Sequence, residues 1–472
     1  MKQKRFYINT MGCQMNVYDS SRMAAALAQQ QYKPVTDYRK ADLVIVNTCT
    51  IRAKARQKAM SFVGRLEAEK RKDPDMIVAV AGCVAQQEGE GILDTFPQVD
   101  IVLGTQAVGR LPRLIDAVER DGIRRVDIAM SDAVVETDYP RGRVDQDVSD
   151  YVTIMKGCDN FCTYCVVPYV RGREASRLPE NIVNEVKALV ADGVREVILL
   201  GQNVNSYGNK ENFGSFADLL SRINDVEGLM RLRFTTSHPK DLSDDLIEAF
   251  GRLDKLTNHF HLPVQAGSDR ILRRMNRKYT RQSYLEKISR LREVRPDMAI
   301  TTDIIAGFPG ETNVDFRQTM TLLEEVQFDN IFAFMYSDRV LAPASRFKDK
   351  VPMPEKKRRL AALLERQKAI SFSKNQRRVG NTETVLVEGL SKHALRKNKT
   401  EKAGENDQWS GRTTTNKVVN FYVDLDFAES QPVKSGSLVS VRIDDAFAYS
   451  LSGRATHILH DFKQTRGNVN AA

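Results

Sequence analysis

Hydrophobic residues in the first part of the chain occur in short, uninterrupted runs that alternate with stretches of helical spacing. The runs RFYINT, DLVIVNT, MIVAVAG and VDIVLG are bounded by polar segments, and the first three are each followed by a helical pattern. Runs of this kind are typical of parallel strands whose two faces are both covered by helices. We therefore predict that residues 1–130 form an α/β domain around an open parallel sheet.

A second series of strand and helix patterns begins at Tyr151. Its six apolar segments are YVTIMKG, VREVILLG, LMRLRF, HFHLPV, MAITTDIIAG and NIFAFMYS, and helical stretches separate them. Six strand–helix units are too few for the closed eightfold barrel, and they fit an open, partial version of it. The active face of such a barrel lies at the carboxyl ends of its strands, so we expect the chemistry directly after each strand.

Changes in the pattern also predict the domain boundaries. Residues 131–150 lack periodicity and are predicted to be a linker. The central domain is predicted over residues 151–378, and it ends with a basic helical segment that begins at Pro354. Residues 379–462 return to short strands separated by glycine and polar turns, which predicts a small all-β barrel of five strands, and residues 463–472 are predicted to be a tail.

Composition adds information on partners and location. A length of 472 residues suggests about three domains. The sequence contains no apolar run long enough to span a bilayer, and its amino terminus lacks the apolar stretch of a secretion signal. We therefore expect a cytoplasmic protein without a membrane partner. The formal net charge of +10 favours a polyanionic partner such as nucleic acid, although charge alone leaves that choice open.

Three of the six cysteines lie together in the segment GCDNFCTYC. Cys158, Cys162 and Cys165 are separated by three and then by two residues. Thiolates this close on one loop can hold three irons of a cluster and leave the fourth iron open to a substrate's amino and carboxylate groups. A zinc site is the alternative, but it normally needs a fourth ligand, and the sequence offers none nearby. Unligated thiols are the remaining alternative.

The other three cysteines form a second pattern. Cys13, Cys49 and Cys83 each follow a predicted strand of the first domain. Because the carboxyl ends of parallel strands face one crevice, we expect these three thiols to converge and to hold a second cluster. The alternative is that each is a small buried residue of the core. A disulfide framework is excluded for a long cytosolic chain.

The spacing CxxxCxxC, with Phe161 and Tyr164 before its second and third cysteines, resembles the signature of radical S-adenosylmethionine (SAM) enzymes. A resemblance to the methylthiotransferases covers nearly the whole chain. It is carried by GCQMNVYDS, NTCTIR, the span 157–177, GQNVNSYG, LPVQAGSDRILRRMNRKYT, DIIAGFPGET and WSGRTTTNKVVNF. The motifs GQNVNSY and MNRKYT favour the branch that acts on isopentenyladenosine beside the tRNA anticodon.

This resemblance implies a radical SAM methylthiotransferase that adds a methylthio group to C2 of the adenine ring and uses SAM also as methyl donor. It implies two 4Fe-4S clusters and a C-terminal barrel of the TRAM type. It also implies three partners: the tRNA anticodon stem-loop, a reducing protein such as flavodoxin or ferredoxin, and a sulfur donor. The alternatives are a methylthiotransferase acting on threonylcarbamoyl adenosine or a ribosomal protein, and a non-catalytic iron–sulfur protein that binds RNA or senses oxidation.

The resemblance also assigns candidate site residues. The auxiliary cluster is assigned to Cys13, Cys49 and Cys83, and the radical SAM cluster to Cys158, Cys162 and Cys165, all catalytic through their clusters. Candidates for cofactor binding are Phe161, Tyr164, Gln202, Ser237, Gln265 and Gly307. Candidates for RNA binding are Arg171, Arg173, Arg177, Trp409 and Arg412.

Simpler interpretations stand beside several of these assignments. Gly307 also fits a plain turn, Ser237 and His238 also fit a helix cap before Pro239, and the three arginines also fit a solvated basic loop. The basic residues 356–359 and 396–402 are further candidates for RNA contact. Asp303 interrupts an apolar strand, so we expect it to be paired or near the polar mouth of the barrel.

Two further features remain. His259 and His261 alternate on one strand, and we expect them to pack or to hydrogen-bond rather than to bind metal. The segment after the last barrel strand departs from the family pattern, since Leu341 and Ala342 precede Pro343 where family members usually carry a Gly-Thr-Pro run.

Overall fold

The computed structural model describes residues 3–50, 53–131, 148–397, 407–423 and 433–460. Most of the predicted linker, much of the basic tract 396–402 and the predicted tail lie outside the described residues. Among the helices that the structure does describe, we find none with the length and apolar character needed to cross a membrane.

The N-terminal domain is built on one parallel sheet. Its strands are β1 (Arg5–Met11), β2 (Lys33–Pro34), β3 (Leu43–Thr48), β4 (Ile77–Gly82), β5 (Ile101–Leu103) and β6 (Arg125–Asp127). Its helices are α1 (Gln14–Gln29), α2 (Ala53–Lys72), α3 (Cys83–Glu88), α4 (Glu90–Thr95) and α5 (Leu111–Asp121). The strand order is β2-β1-β3-β4-β5-β6, and all neighbouring pairs are parallel.

Helices cover both faces of this sheet. For this reason its central strands are apolar along their length, except for the polar residues at the end of β3. Ile45 points into one hydrophobic cluster with residues of α1 and α5, whereas Val44 and Val46 point into a second cluster with residues of α2 and α4. Alternate residues of a strand face opposite sides of its sheet, so an uninterrupted apolar run is needed to fill both clusters. The predicted open parallel sheet is confirmed.

The central domain begins with a parallel strand and continues as strand–helix units. Its strands are β7 (Ser149–Thr153), β8 (Met155–Lys156), β9 (Ala175–Ser176), β10 (Glu196–Leu200), β11 (Arg231–Phe234), β12 (His259–His261), β13 (Ala299–Ala306) and β14 (Asn330–Met335). Its helices are α6 (Val167–Val170), α7 (Pro179–Ala191), α8 (Phe216–Asn224), α9 (Asp244–Arg252), α10 (Asp269–Arg274), α11 (Arg281–Val294), α12 (Asn313–Val326) and α13 (Met353–Gln376).

Six of these strands form the predicted partial barrel. They lie in two three-stranded parallel sheets, β11-β10-β7 and β12-β13-β14. The sheets adjoin where Leu232 of β11 pairs with Leu256, three residues before β12 begins. The short antiparallel pair β8-β9 lies beside the loop that carries the central cysteines. The partial barrel therefore places the carboxyl ends of its strands on the side of these cysteines.

The basic segment at the start of α13 is divided by the helical period. Lys356 and Arg359 are buried, with the Lys356 ammonium donating to the Tyr336 carbonyl (3.0 Å) and Arg359 paired with Glu311 (2.7 Å). These two side chains stabilise the domain internally. The expectation that residues 356–359 face RNA together is therefore corrected, because residues three apart lie on the same helix face and this face is the covered one.

The C-terminal domain is the predicted five-stranded barrel. Its elements are β15 (Thr382–Leu390), α14 (Lys392–Lys397), β16 (Trp409–Thr413), β17 (Val418–Val423), β18 (Leu438–Ala446) and β19 (Ser450–His460). The strands close in the order β15-β16-β17-β19-β18, with β17 and β19 parallel and the other pairs antiparallel.

This small barrel is joined to the amino ends of the central strands. Buried Arg231, at the start of β11, donates to the carbonyls of Arg412 (2.6 Å) and Thr384 (3.0 Å) in the C-terminal barrel. Lys417 of the same barrel pairs with Asp329, which directly precedes β14 (3.1 Å). The joint lies at the end opposite the cysteines, so the carboxyl ends of the strands remain available for chemistry.

Candidate active site

The three N-terminal cysteines meet at one edge of the first sheet. Cys13 follows β1 and caps α1, Cys49 follows β3, and Cys83 follows β4 as the first residue of α3. These strands are neighbours in the sheet, and the Cys49 side chain is hydrogen-bonded to both Cys13 and Cys83. The expected convergence of thiols from distant parts of the sequence is therefore found.

The ionisation of these thiols is coupled. The hydrogen bond with Cys49 is the main cause that lowers the pKa of Cys13 to about 5 and the pKa of Cys83 to about 7. The same two contacts raise the pKa of the Cys49 thiol. Since the thiolate is the form that binds metal, two of the three side chains are poised as ligands.

Two buried asparagines, which the sequence analysis missed, fix this edge. Asn16 Oδ1 accepts from the backbone N–H of Cys13 (3.2 Å), and Asn16 Nδ2 donates to Asn47 Oδ1 (2.9 Å). The Asn47 amide donates in turn to the Asn16 carbonyl (2.9 Å). Both asparagines are fully buried. In the sequence, Asn47 stands out as a polar residue after the apolar part of β3. Only the structure shows that Asn16 is its partner.

The central cysteines lie on the loop after β8, and each sulfur accepts at least one hydrogen bond. Asn160 Nδ2 donates to Cys158 Sγ (3.5 Å), Arg277 Nη1 donates to Cys162 Sγ (3.3 Å), and the backbone N–H of Val167 donates to Cys165 Sγ (3.4 Å). Hydrogen bonds of this kind stabilise the negative charge of metal-bound thiolates.

The net pKa shift of two central thiols is opposite to that of Cys13 and Cys83, because no hydrogen bond outweighs the effect of burial. Burial raises the pKa of Cys158 to about 11 and that of Cys165 to about 12. Iron binding at this loop must therefore displace protons from these thiols. The protein supplies compensating charge through Arg277, whose guanidinium lies inside the domain.

Arg277 contacts Cys162, and the sequence pattern did not indicate this role. Its guanidinium also donates to the Tyr164 hydroxyl (3.2 Å) and to the Pro263 carbonyl (2.6 Å). Its neighbours Asn276 and Lys278 both have positive φ, at 60° and 62°, and this turn directs Arg277 inward. The motif MNRKYT was noted in the sequence, but its contact with the cysteine loop depends on the tertiary fold.

His238 is a second neighbour of the central cysteines. Its Nδ1 accepts from the Lys240 backbone N–H (3.1 Å), which makes it the cap of the short helix Pro239–Asp241. Its Nε2 lies 4.0 Å from Cys162 Sγ. Burial, followed by the charge of Arg277, lowers the pKa of His238 to about 2, so the ring is neutral. The expected helix cap before a proline is therefore present, with His238 itself as the cap.

Two candidates for cofactor binding carry buried polar atoms without a hydrogen-bond partner among the described residues. Gln202, after β10, accepts from the Gly157 N–H through Oε1, whereas its Nε2 has no partner. Ser237, after β11, has an unpartnered Oγ. Such atoms are uncommon in protein interiors and point to a missing ligand or water. The polar atoms available here fit a ligand such as SAM.

The backbone groups of Gln265 and Gly307 are engaged within the protein. Gln265 has φ 71°, and its N–H and carbonyl pair with Asp303 and Ile305 of β13. Gly307 has φ 71°, and its N–H donates to Glu311 Oε2 (2.7 Å). For Gly307 this contact favours the turn interpretation over direct backbone contact with a cofactor.

Phe161 and Tyr164 differ in exposure and in their contacts. Phe161 is exposed, has φ 48°, and lies under the Arg173 guanidinium at 5.3 Å. Arg173 is itself exposed and paired with Asp159 (2.7 Å). Tyr164 is partly buried, and its hydroxyl accepts from Arg277. Tyr164 therefore helps to hold the loop, and Phe161 is available to a ligand.

The structure does not bring the five candidates for RNA binding together. Arg171 is buried and paired with Asp19 of the N-terminal domain (3.0 Å), beside Cys13 and Cys83. Its guanidinium lies in the interior, where the ion pair with Asp19 offsets the free energy of removing the charge from water. The placement of Arg171 on an RNA-facing surface is therefore corrected.

The remaining candidates are held at separate places. Arg177 is mostly buried and pairs with Glu185 (2.6 Å). Trp409 packs against the core of the C-terminal barrel. Arg412 pairs with Glu388 (2.8 Å) and remains partly exposed.

The segment that departs from the family pattern lies beside the N-terminal cysteines. Ala342 is buried in a small hydrophobic cluster with Cys83, Val166 and Val170. Leu341 is exposed. The departure therefore alters the contact surface next to Cys83.

The thiol donors of the central loop fit an iron–sulfur cluster. In the parts of the chain that the structure describes, no group of three His, Cys, Asp or Glu side chains is arranged to hold a single metal ion. The rings of His259 and His261 hydrogen-bond with Thr301 at 3.3 and 3.0 Å, as expected. Three thiols without a fourth ligand are the donor set of a cluster with an open iron.

Comparison with known proteins agrees with this arrangement. Residues 5–104 match the family described as Uncharacterized protein family UPF0004, and residues 152–323 match the Radical SAM superfamily. The chain is 58% identical over 456 residues to tRNA-2-methylthio-N(6)-dimethylallyladenosine synthase of Desulfosudis oleivorans, covering 96% of this chain and 97% of that one. The protein of the same name from Syntrophobacter fumaroxidans is 48% identical, over 95% of this chain and 94% of that one.

Solved structures share the fold at low identity. The radical SAM methyltransferase TsrM from Kitasatospora setae gives a TM-score of 0.54 at 13% identity, over 73% of this chain and 77% of that one. The cobalamin-dependent radical enzyme OxsB gives a TM-score of 0.52 at 11% identity, over 78% of this chain and 61% of that one. With relatives this similar over nearly its full length, the chain belongs to the tRNA-2-methylthio-N(6)-dimethylallyladenosine synthase family.

Proposed function

We propose that this protein adds a methylthio group to C2 of isopentenyladenosine next to the anticodon of tRNA. The observation that carries the proposal is the contact between the N-terminal cysteines and the segment that follows the central cysteines. The segment directly after Cys165 packs Val166 and Val170 against Cys83 and places Arg171 beside Cys13. A radical generated at one set therefore arises next to the other, as a reaction that joins a carbon radical to sulfur requires.

The central cysteines would hold the cluster that works with SAM. When bound, that cluster and SAM supply a radical strong enough to remove hydrogen from the inert C2–H bond. The residues of the chain position and shield this chemistry. Asn160 and Arg277 stabilise the sulfur charge, and Ser237 and Gln202 offer unpartnered polar atoms at the carboxyl ends of neighbouring strands.

We also propose that Cys13, Cys49 and Cys83 would hold an auxiliary 4Fe-4S cluster, which when bound would supply the sulfur of the methylthio group. Thiolates at this largely covered edge need compensating positive charge, because burying uncompensated charge is costly. Arg171 provides it from the other domain, and its pair with Asp19 holds its position. The backbone carbonyls of Val170 and Arg171 accept from Thr105 (2.7 Å) and Gln106 (3.1 Å), which supports a fixed contact between the domains.

The proposed reaction also requires a methyl group, a radical, sulfur and an electron, and each requirement implies a partner. The reaction would use one SAM as methyl donor and a second as the source of the radical, and a separate donor would supply the sulfur. An electron is needed to generate the radical, and we propose a small reducing protein such as flavodoxin or ferredoxin as its source. The net charge of +10 and the C-terminal barrel support binding of the tRNA anticodon stem-loop. Because its substrate is tRNA, we propose a cytoplasmic location.

The test is anaerobic reconstitution with iron, sulfide, dithionite and SAM, followed by incubation with isopentenylated tRNA. Mass spectrometry of the digested tRNA measures the methylthio nucleoside, and 5′-deoxyadenosine is measured in parallel. We expect Cys158→Ala to abolish both products and Cys13→Ala to abolish only the methylthio nucleoside. Deoxyadenosine without modified tRNA from the unaltered protein would contradict the substrate, and tRNA carrying threonylcarbamoyl adenosine and ribosomal protein would then be tested. If a protein with intact clusters forms neither product, a non-catalytic role is supported.

A further inference from the structure

Two phenylalanines are exposed on the concave face of the partial barrel. Phe332 and Phe334 lie in β14, and each side chain is 49% exposed. The alternate residue Ile331 is buried in the core cluster that includes Leu363 and Ile370 of α13. Because successive residues of a strand face opposite sides, the two phenyl rings point away from the covering helix. They therefore face the interior of the open barrel, and packing against the covering helix does not account for them.

The neighbouring strand adds an aliphatic and an acidic side chain to this face. In the β13–β14 ladder, Phe332 pairs with Asp303 and Phe334 pairs with Ile305, so the four side chains lie on one side of the sheet. Asp303 is partly exposed, and its Oδ1 lies 3.5 Å from His261 Nε2. The polar environment expected for Asp303 is therefore present. We refer to Phe332, Phe334, Asp303 and Ile305 as the aromatic shelf.

The aromatic shelf continues into the radical site. Ile305 packs against the same buried cluster as Tyr164, which lies between Cys162 and Cys165. Ile305 also pairs through its backbone with Gln265, one of the cofactor candidates. The shelf therefore starts beside the cysteine loop and runs down the concave face. A flat ligand lying on it would have one end near the place where the radical forms.

We propose that the aromatic shelf holds the isopentenyladenine base and determines the preference for its apolar N6 substituent. This inference rests on the proposed function. Nucleobases taken out of a loop are commonly stacked on aromatic side chains, and the five-carbon substituent is apolar and matches the phenyl rings and Ile305. The N6 atom keeps one N–H, for which the Asp303 carboxylate is the available acceptor.

The experiment measures RNA binding separately from turnover. Anticodon stem-loops that carry either isopentenyladenosine or unmodified adenosine are bound anaerobically to the cluster-loaded protein, without SAM, and followed by fluorescence anisotropy. We expect the unaltered protein to prefer the isopentenylated RNA. Phe332→Ala and Phe334→Ala are expected to reduce this preference by about tenfold, the range in which apolar pockets discriminate. Asp303→Ala is expected to weaken binding of both RNAs, and Asp303→Asn to restore part of it because the amide oxygen still accepts.

A matched control separates the shelf from general loss of apolar surface. Phe372 of α13 is similarly exposed, at 45%, but lies on a helix outside the barrel, so Phe372→Ala should leave the preference unchanged. Deoxyadenosine formation without RNA is measured for every variant to show that the radical site is intact. If an alanine variant does not fold, Phe→Leu at the same position replaces it and should lose the stacking contribution.

The outcomes are distinguishable. An unaltered protein that prefers isopentenylated RNA, together with shelf variants that keep this preference and form deoxyadenosine, overturns the inference and leaves the proposed function intact. An unaltered protein that forms deoxyadenosine but shows no preference contradicts the proposed substrate itself. An equal loss of preference in Phe372→Ala also overturns the inference, because the effect would not belong to the shelf.

Discussion

The buried pair between Arg171 and Asp19 makes a quantitative prediction. Only 8% of the Arg171 side chain and 12% of the Asp19 side chain are exposed, and their atoms are 3.0 Å apart across a domain contact. Replacing Arg171 with methionine keeps much of the side-chain volume and removes the charge. Removing one partner of a buried ion pair typically costs about 3–5 kcal/mol, because the other charge is left uncompensated.

The lower end of that range applies here. Burial raises the pKa of Asp19 even with Arg171 present, so the carboxyl group can take up a proton once its partner is gone. We therefore expect Arg171→Met to reduce the free energy of unfolding by about 3 kcal/mol. Adding Asp19→Asn in the same protein should restore part of this loss, since the buried carboxylate is then gone and only the charge of the N-terminal cysteines lacks its partner.

The assay is equilibrium urea unfolding of the cluster-loaded protein under anaerobic conditions, followed by the visible absorbance of the clusters. The two single variants and the double variant form a thermodynamic cycle that isolates the pair. Arg173→Met is the matched control, since Arg173 is exposed and its pair with Asp159 should contribute less than about 1 kcal/mol. A coupling between Arg171 and Asp19 no larger than that of the control would refute the reasoning.

Two further predictions concern the central domain. Arg277→Met removes a charged donor from Cys162 and is expected to lower the reduction potential of the radical SAM cluster by roughly 60 mV, the one-electron equivalent of a tenfold change. Redox titration followed by electron paramagnetic resonance measures this potential. An equal shift in Lys278→Met, at an exposed side chain, would argue against a specific contact. Burial raises the pKa of Glu174 to about 7. The folded state therefore keeps a proton that the unfolded state loses at lower pH. As a result, the free energy of unfolding should fall as pH rises from about 4.5 to 7. In Glu174→Gln part of this fall should disappear, and an identical pH profile of urea unfolding in both proteins would contradict the assignment.

Much of the fold follows from local pattern. The uninterrupted apolar runs around Val44 and Val78 predicted a sheet covered on both faces, and the two hydrophobic clusters of the N-terminal domain need every one of those residues. The six strand–helix units and the five-stranded barrel were likewise predicted, because strand and helix periods are properties of short segments. Chain direction and the alternation of strands and helices also predicted that the thiols after β1, β3 and β4 share an edge.

The partners of charged side chains could not be predicted in this way. Arg171 and Arg173 are two residues apart and chemically identical, yet one is buried beside Cys83 and the other is exposed. Lys356 and Lys357 likewise separate into a buried and an exposed side chain. A charge is tolerated inside only where a partner from a distant segment compensates it, and the sequence does not name that partner.

The sequence by itself determined the cysteine sets, the strand periods and the order of the domains, because these depend on residues close together along the chain. Only the tertiary structure decided that Arg277 reaches Cys162, that Arg171 reaches the N-terminal cysteines, and that Phe332 and Phe334 face the open interior of the barrel. Each of these contacts depends on how whole elements pack, and the orientation of a packed element is set by the summed burial of many side chains rather than by any local signal.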